Sequence, residues 1–393
     1  MNRQPYEKPP RWWSPQLSQG WVNFWRPFRK REQLRNQGLL AVETHGASSV
    51  RDLLEQQYGV LITPNHCSHA DGFTLYEAAD QIGRPIFAMM AWQVFARGGW
   101  LRQKILRHHG AFSVDREGTD MSALRKAREV LQSEPFPLAI FPEGEVYHLN
   151  ERLTPFRDGP AALAMMAAKK GNRPIACVPC SMRYYYVHDP THQLLELMDR
   201  LEESLHWRPR RHLKLSDRIY HLAQGAIALK EIEILGHSCS GSLPDRIHGL
   251  IEFLLGRIEN QHSLPGHSKS IPERVKAARH AVIAKLESLT ATDPDCEKLH
   301  DELDDLFLVI QAFSYPGDYV SENPTLERIA ETLDKFEEDF LGVKTAAIRG
   351  RRRAVVRFGE PIVLQSSAKP EYAVHELTLQ LERQVREMLL IND

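Results

Sequence analysis

Val60-Leu61-Ile62-Thr63-Pro64-Asn65-His66-Cys67-Ser68-His69-Ala70-Asp71 is the stretch that decides the fold. Its apolar start, 60–63, reads as a buried strand. In an α/β sheet, chemistry gathers just past the strand ends. A spacing of five leaves two residues of one helix far apart around its axis. His66 therefore belongs to the loop and Asp71 to the first turn of the next helix, where the two can meet. So placed, an imidazole can take a proton from an attacking hydroxyl. A carboxylate on the other ring nitrogen fixes the tautomer and steadies the imidazolium. A free imidazole titrates near pH ~6.5, which suits this task at neutral pH. His-x4-Asp is a weak signal alone, and a helix-capping Ser68 or Asp71 beside a satisfied histidine is the plainer reading.

Outward from this stretch the pattern alternates. A helix over 49–57 precedes the strand at 59–64, and a helix follows to about 81. Strands follow at 85–90, 111–114, 138–141 and 175–178, with 182–187 as a continuation of the last. Helices are expected over 92–108, over 122–133 with Ser122 as cap, and over 158–170. Strand–helix alternation of this kind predicts an α/β fold, a mostly parallel sheet flanked by helices. Arg97, Arg102, Lys104 and Arg107 on the 92–108 helix either line the entry of an acidic substrate or form a solvated face.

Between about 190 and 341 only helical stripes occur, six in number, enough for a bundle. Examples are Leu194/Leu197/Leu201/Leu205 and Leu326/Ile329/Leu333/Phe336/Phe340, the last stopped by Gly342. Ser270-Ile271-Pro272-Glu273 reads as a capping box. The histidines here, such as His206, His212, His221 and His248, show no ligand spacing. A strand and turn at 354–362 and an amphipathic helix over 372–389 complete the chain.

The N-terminal 40 residues hold eight Lys/Arg against two Asp/Glu, and 287–340 is strongly acidic. Ser14-Pro15 reads as a helix start. Pro27 then predicts two short helices with a bend. Trp12, Trp13, Trp21, Phe24, Trp25 and Phe28, beside Arg29, Lys30, Arg31 and Arg35, suit a membrane interface. A helix packed on the protein's own core is the alternative. A basic end attracts anionic headgroups and an acidic segment is repelled by them. The acidic part is therefore expected to face away from a membrane. The five scattered cysteines suggest a reducing compartment, and Cys177-x-x-Cys180 on a strand would face opposite sides. No stretch approaches the length needed to span a bilayer, and the start does not read as a signal peptide. The expected location is cytoplasmic, peripheral on the cytoplasmic face of a membrane. No metal is called for, and nucleic acid is not an expected partner.

Three further motifs follow His66 in order: Gly110-Ala111-Phe112-Ser113-Val114-Asp115-Arg116, then Phe141-Pro142-Glu143-Gly144, then Val178-Pro179. Together these resemble the glycerolipid acyltransferase family, whose members include the lysophosphatidic acid acyltransferases of phospholipid biosynthesis. The resemblance covers roughly 40–187. Val356-Arg357-Phe358-Gly359-Glu360-Pro361-Ile362 and its helix resemble the closing elements of the same domain. It implies transfer of a fatty acyl group from acyl-CoA or acyl-carrier protein, as donor substrate with no bound cofactor, to a hydroxyl of a glycerol phosphate or lysophospholipid. 1-Acylglycerol-3-phosphate is the leading acceptor. It implies His66 as base, Asp71 as its orienter and Arg116 as a phosphate ligand, an ion pair with Asp115 or Glu117 being the alternative. Asn65, Glu143, Gly144 and Arg157 would serve as substrate-binding residues. The family commonly reads Phe-Pro-Glu-Gly-Thr-Arg; here Glu145 and Val146 replace the last two. A lost arginine and a gained carboxylate point also to a less anionic lyso-acceptor. A non-catalytic membrane-surface scaffold is the reading outside enzymology. The expected layout is 1–40 membrane-interface helices, 41–187 the first part of the acyltransferase domain, 188–347 a helical insertion, and 348–393 the closing strand and helix.

Overall fold

The computed structural model describes residues 6–266, 270–290, 292–365 and 373–391. In chain order the elements are α1 (Gln19–Gln37), β1 (Leu39–His45), α2 (Ala47–Glu55), β2 (Gly59–Pro64), α3 (Asp71–Ile82), β3 (Phe87–Ala91), α4 (Trp92–Ala96), α5 (Trp100–His108), β4 (Ala111–Val114), α6 (Met121–Ser133), β5 (Leu138–Ala139), α7 (Gly159–Lys170) and β6 (Ile175–Tyr186). Then come α8 (Thr191–Ser204), α9 (Leu215–Leu235), α10 (Leu243–Gln261), α11 (Ile271–Ser288), α12 (Asp295–Phe313), α13 (Tyr319–Glu322) and α14 (Leu326–Phe340). β7 (Arg352–Phe358), β8 (Ile362–Leu364) and α15 (Val374–Leu389) close the chain. Two compact units result: Lys8–His188 with Gly350 onward, and Asp189–Arg349 with Tyr6 and Glu7.

The first unit is an eight-stranded sheet in the order β1-β7-β6-β2-β5-β3-β4, with β8 also on β6. β6 pairs antiparallel with β7 and β8; the remaining pairs are parallel. β6 is the hinge of this mixed topology. Its first half, Ile175 to Cys180, pairs with β2, while Cys180 to Tyr186 pairs with β7. Every residue of β2 is buried, as both faces of a parallel strand demand. Val60 and Ile62 pack on one face with Val50, Leu54, Leu75 and Ile82 of α2 and α3. Leu61 packs on the other with α6, α7 and α15, through residues such as Val130, Leu163 and Leu381. Cys177 and Cys180 fall in opposite clusters, as their odd spacing requires.

Several local expectations need correction. β1 starts well before residue 49, where the α/β pattern was read to begin. It sits beside β7, which returns 312 residues later in register, Val42 against Ala354. β8 was not foreseen, and the 92–108 helix divides into α4 and α5 at Gly98-Gly99. Asp120, not Ser122, caps α6, accepting from the Ser122 and Ala123 amides. Ser270 caps α11 without a side-chain bond to the backbone; its hydroxyl instead meets the Glu273 carboxylate. α1 runs unbroken through Pro27, with Ser18 rather than Ser14 as its cap. An interior proline costs roughly 3 kcal/mol, but both halves are pinned. Trp21 packs on His108 before it, and after it Arg29 bonds Asp80 while Lys30 bonds Glu77. Residues 8–40 belong to the sheet-bearing unit: Trp13 is only 4% exposed, its carbonyl accepting from Ser113 N–H and its N–H donating to Ser113 Oγ.

Among its described residues the second unit is all helical. Leu250, Leu254 and Ile258 of α10 pack with Val275 and Val282 of α11 and Leu299, Leu303 and Leu306 of α12. Buried arginines are matched: Arg218 with Asp199 and Glu202, Arg274 with Glu252 and Glu259.

Candidate active site

The sheet delivers three loops to one edge. His66 follows β2, Arg116 follows β4, and Glu143, Gly144 and Glu145 follow β5, each past the carboxyl end of a parallel strand. Asp71 is the first residue of α3, where a negative charge suits the helix N-terminus.

His66 Nδ1 lies 2.7 Å from Asp71 Oδ2. An ionised carboxylate only accepts, so this contact puts the ring proton on Nδ1 and leaves Nε2 as the basic nitrogen. Among the described residues nothing bonds Nε2. The Asp71 carboxylate is fully buried, and its remaining capacity is used: Ser68 N–H donates to Oδ2 at 3.0 Å and the Tyr184 hydroxyl to Oδ1 at 2.7 Å. Thr74 holds the Tyr184 hydroxyl from behind at 2.8 Å. The imidazole stacks on Phe141, ring centroids 4.1 Å apart. Stacking on one face and a hydrogen bond at Nδ1 fix both the plane and the direction of Nε2.

Glu143 holds the loop instead of facing outward. Its Oε1 accepts from the His66 backbone N–H at 2.6 Å, and Oε2 accepts from the Thr154 N–H at 3.1 Å and from the Thr154 hydroxyl. Burial pushes its carboxyl up to about 7 against these bonds. Asn65, expected at the substrate, is a structural bridge. Beyond Pro64, β2 no longer pairs with β6, and the Asn65 amide takes over, donating to Met182 O and accepting from Met182 N–H. Asn150 does the same for Tyr184 one pleat further on. Both ends of the Asn65 amide are thus engaged, and the residue is 1% exposed.

Arg116 is committed within the site. Its Nη1 donates to Gly144 O at 3.0 Å and to Glu145 Oε1 at 2.5 Å. The carboxylate it bonds is Glu145, the one that departs from the family motif. Burial works to raise the Glu145 carboxyl, but Arg116 and then Arg157 outweigh it and hold it low. Gly144 sits at φ +79, and a Cβ there would come within 2.8 Å of the Arg157 guanidinium. Glycine thus lets Arg157 lie flat on this turn. Arg157 Nε is buried and carries no hydrogen bond among the described residues.

The aromatic residues near the N-terminus divide. Phe24 and Phe28 are 63% and 54% exposed, and Trp21 and Trp25 lie half-buried beside them. Trp12 lies at the surface with its indole N–H bonded to Ser113 O. Trp13 is the correction: it stacks on Phe95 in the core, centroids 5.6 Å apart, so it cannot contact a membrane. Among the described residues no helix is long and apolar enough to cross a membrane.

Tyr184, Thr154 and Asn150 are members of this site that the sequence did not suggest, and Phe141, quoted only as part of a motif, stacks on His66. Tyr184 reaches Asp71 from 113 positions away, while Thr154 and Asn150 hold the supports Glu143 and Tyr184 from 11 and 34 positions away, and no local spacing carries that information. Residues 41–183 match the family model described as Acyltransferase, a span from β1 into β6. No curated protein matches the chain.

Proposed function

Residues 41–183 being an acyltransferase-family domain, we propose that the chain moves a fatty acyl group from a thioester, acyl-CoA or acyl-carrier protein, to the hydroxyl of a glycerol-based lysolipid at a membrane surface. The observation that carries this is the His66–Asp71 pair at the end of β2, 2.7 Å apart with Nε2 unbonded. Nε2 takes the hydroxyl proton as the acceptor oxygen attacks the thioester carbonyl carbon. Asp71 balances the imidazolium that forms. Collapse of the tetrahedral intermediate breaks the C–S bond, and the departing thiolate recovers the proton from Nε2. The products are an ester and a free thiol, with the imidazole neutral again. Glu143 and Tyr184 act as positioning residues, one through the His66 backbone and the other through Asp71. The exposed Phe24 and Phe28 on a basic helix support a peripheral location on a cytoplasmic membrane face.

The acceptor has two readings. The family resemblance favours 1-acylglycerol-3-phosphate, bound through Arg116 and Arg157. The Arg116–Glu145 contact favours the second, an acceptor with no phosphomonoester. A phosphomonoester carries close to two negative charges and would meet Glu145 where it sought Arg116. Thiol release from acyl-CoA against a panel of acceptors differing only in head group tests both. Turnover with a lysolipid supports the proposal; no turnover with any acceptor removes it and leaves the scaffold reading.

A further inference from the structure

The exposed apolar surface of the sheet-bearing unit does not stop at α1. Trp100, at the start of α5, is 74% exposed, and its neighbour Leu101 is exposed too. Trp100 and Lys104 stand one helical turn apart on α5. The Lys104 ammonium lies over the Trp21 ring of α1 at 5.3 Å. Trp21 touches Trp25, and Trp25 touches both Phe24 and Phe28. A chain of contacts thus runs from α5 to the exposed end of the aromatic stripe. The two helices are held in place by backbone bonds, Gln16 N–H to Arg107 O at 2.8 Å and Ser18 N–H to His108 O at 3.1 Å.

Charge identifies what this surface meets. Residues 11–31 and 81–114 contain no Asp or Glu. The cations of α1 that face α3 are used internally, Arg26 and Arg29 on Asp80 and Lys30 on Glu77. Arg31, Arg97, Arg102 and Lys104 are exposed and, among the described residues, pair with no carboxylate. Glu32 is the first acid beyond them on α1. A second copy docking on this face about a two-fold axis would set the same cations against each other, which like-charge repulsion disfavours. An anionic lipid surface instead neutralises them, and it takes exposed indoles at headgroup depth.

We propose that the Trp100–Leu101 end of α5, flanked by Arg97, Arg102 and Lys104, is a membrane-contact site in its own right, seating the chain on anionic lipid beside α1. It extends the membrane reading of α1 and does not depend on the chemistry at His66. The test is flotation of the full chain with vesicles of phosphatidylcholine, with and without phosphatidylglycerol. Trp100→Ser/Leu101→Ser should weaken binding to the mixed vesicles about tenfold. Arg102→Glu/Lys104→Glu should weaken it by more than about tenfold on the mixed vesicles and little on phosphatidylcholine alone. Phe24→Ser/Phe28→Ser, measured in parallel, tests α1 separately, so one site can fail while the other stands. Wild-type vesicle affinity in the Trp100→Ser/Leu101→Ser protein overturns the proposal. So does a wild-type dimer that this variant dissociates without loss of vesicle binding. Hydroxyl-radical footprinting of the wild-type chain needs no variant: vesicles should protect Trp100 from oxidation, and equal oxidation with and without them overturns the proposal.

Discussion

Replacing Asp71 by asparagine separates charge from hydrogen bonding. The carboxylate accepts from His66 Nδ1 and Ser68 N–H through Oδ2 and from the Tyr184 hydroxyl through Oδ1. In Asp71→Asn the amide can keep its oxygen toward His66 and Ser68 and turn its NH2 toward Tyr184. The Tyr184 hydroxyl then accepts and donates in turn to Thr74, a contact that allows either direction. These three bonds survive and only the long, weak contact from the Cys67 thiol to Oδ1 is given up, so the tautomer survives and stability should change by less than about 1 kcal/mol. What disappears is the negative charge beside the imidazolium. Two unit charges about 4 Å apart at an effective permittivity near 20 attract by about 4 kcal/mol, and that amount removed from the transition state slows the reaction about a thousandfold. Asp71→Ala should lose the rate and also about 1–3 kcal/mol of stability for each of Ser68 N–H and Tyr184 OH left without an acceptor. The assay is continuous detection of free thiol at saturating acyl-CoA, with thermal melts alongside. An Asp71→Asn protein that keeps more than about a tenth of the wild-type rate would refute the electrostatic role.

Glu145→Gln should release Arg116 and raise kcat/KM for a phosphomonoester acceptor relative to a neutral-headed one by about tenfold or more; an unchanged ratio, measured by the same thiol assay, returns the acceptor question to the family resemblance. Two buried groups should give opposite pH slopes of stability. Glu143, raised from 4.5 to about 7 by burial, binds its proton more tightly folded than unfolded, so its contribution is full below pH 4.5 and is lost as pH rises to about 7. His109, lowered from 6.5 to about 4 by burial, contributes fully above pH 6.5 and loses that as pH falls toward 4, each slope amounting to about 3 kcal/mol. The two oppose each other in the wild type; denaturant titrations of Glu143→Gln and His109→Gln across this range should show stability rising with pH in the first relative to the second, and parallel profiles would count against both. Trp13→Ala should cost about 3–5 kcal/mol of stability, far more than Phe24→Ala, and near-neutral melts for Trp13→Ala would mean that its stacking on Phe95 is not what holds the N-terminal segment.

The parts of this fold that were legible in sequence were those written locally. The apolar run of β2 is buried on both faces, and such a run cannot be disguised. His66 and Asp71 were placed one in a loop and one in a helical turn by spacing alone, and in the structure they touch. β1 was missed because Leu39–His45 has polar residues on an exposed side and its partner, β7, lies more than 300 residues away. α1 was misread as two short helices because a proline's local cost was weighed without the ion pairs that offset it. Trp13 looked like an interface residue because composition cannot distinguish an indole facing lipid from one facing Phe95. Asn65 was expected at the substrate because of the family resemblance; in the structure its amide bonds the Met182 backbone where β2 runs out. Glu145 was visible as a departure from the family motif, but only three dimensions reveal that its carboxylate takes Arg116.

The central claim is that the His66 imidazole removes the proton from the attacking hydroxyl, and it is tested most directly in His66→Ala. Ester formation and thiol release, measured together on the full chain with vesicle-borne acceptor, should fall by about a hundredfold to ten-thousandfold, while the melting temperature and vesicle affinity stay at wild-type values. Acyl transfer within about tenfold of wild type in that folded, vesicle-bound variant would contradict it.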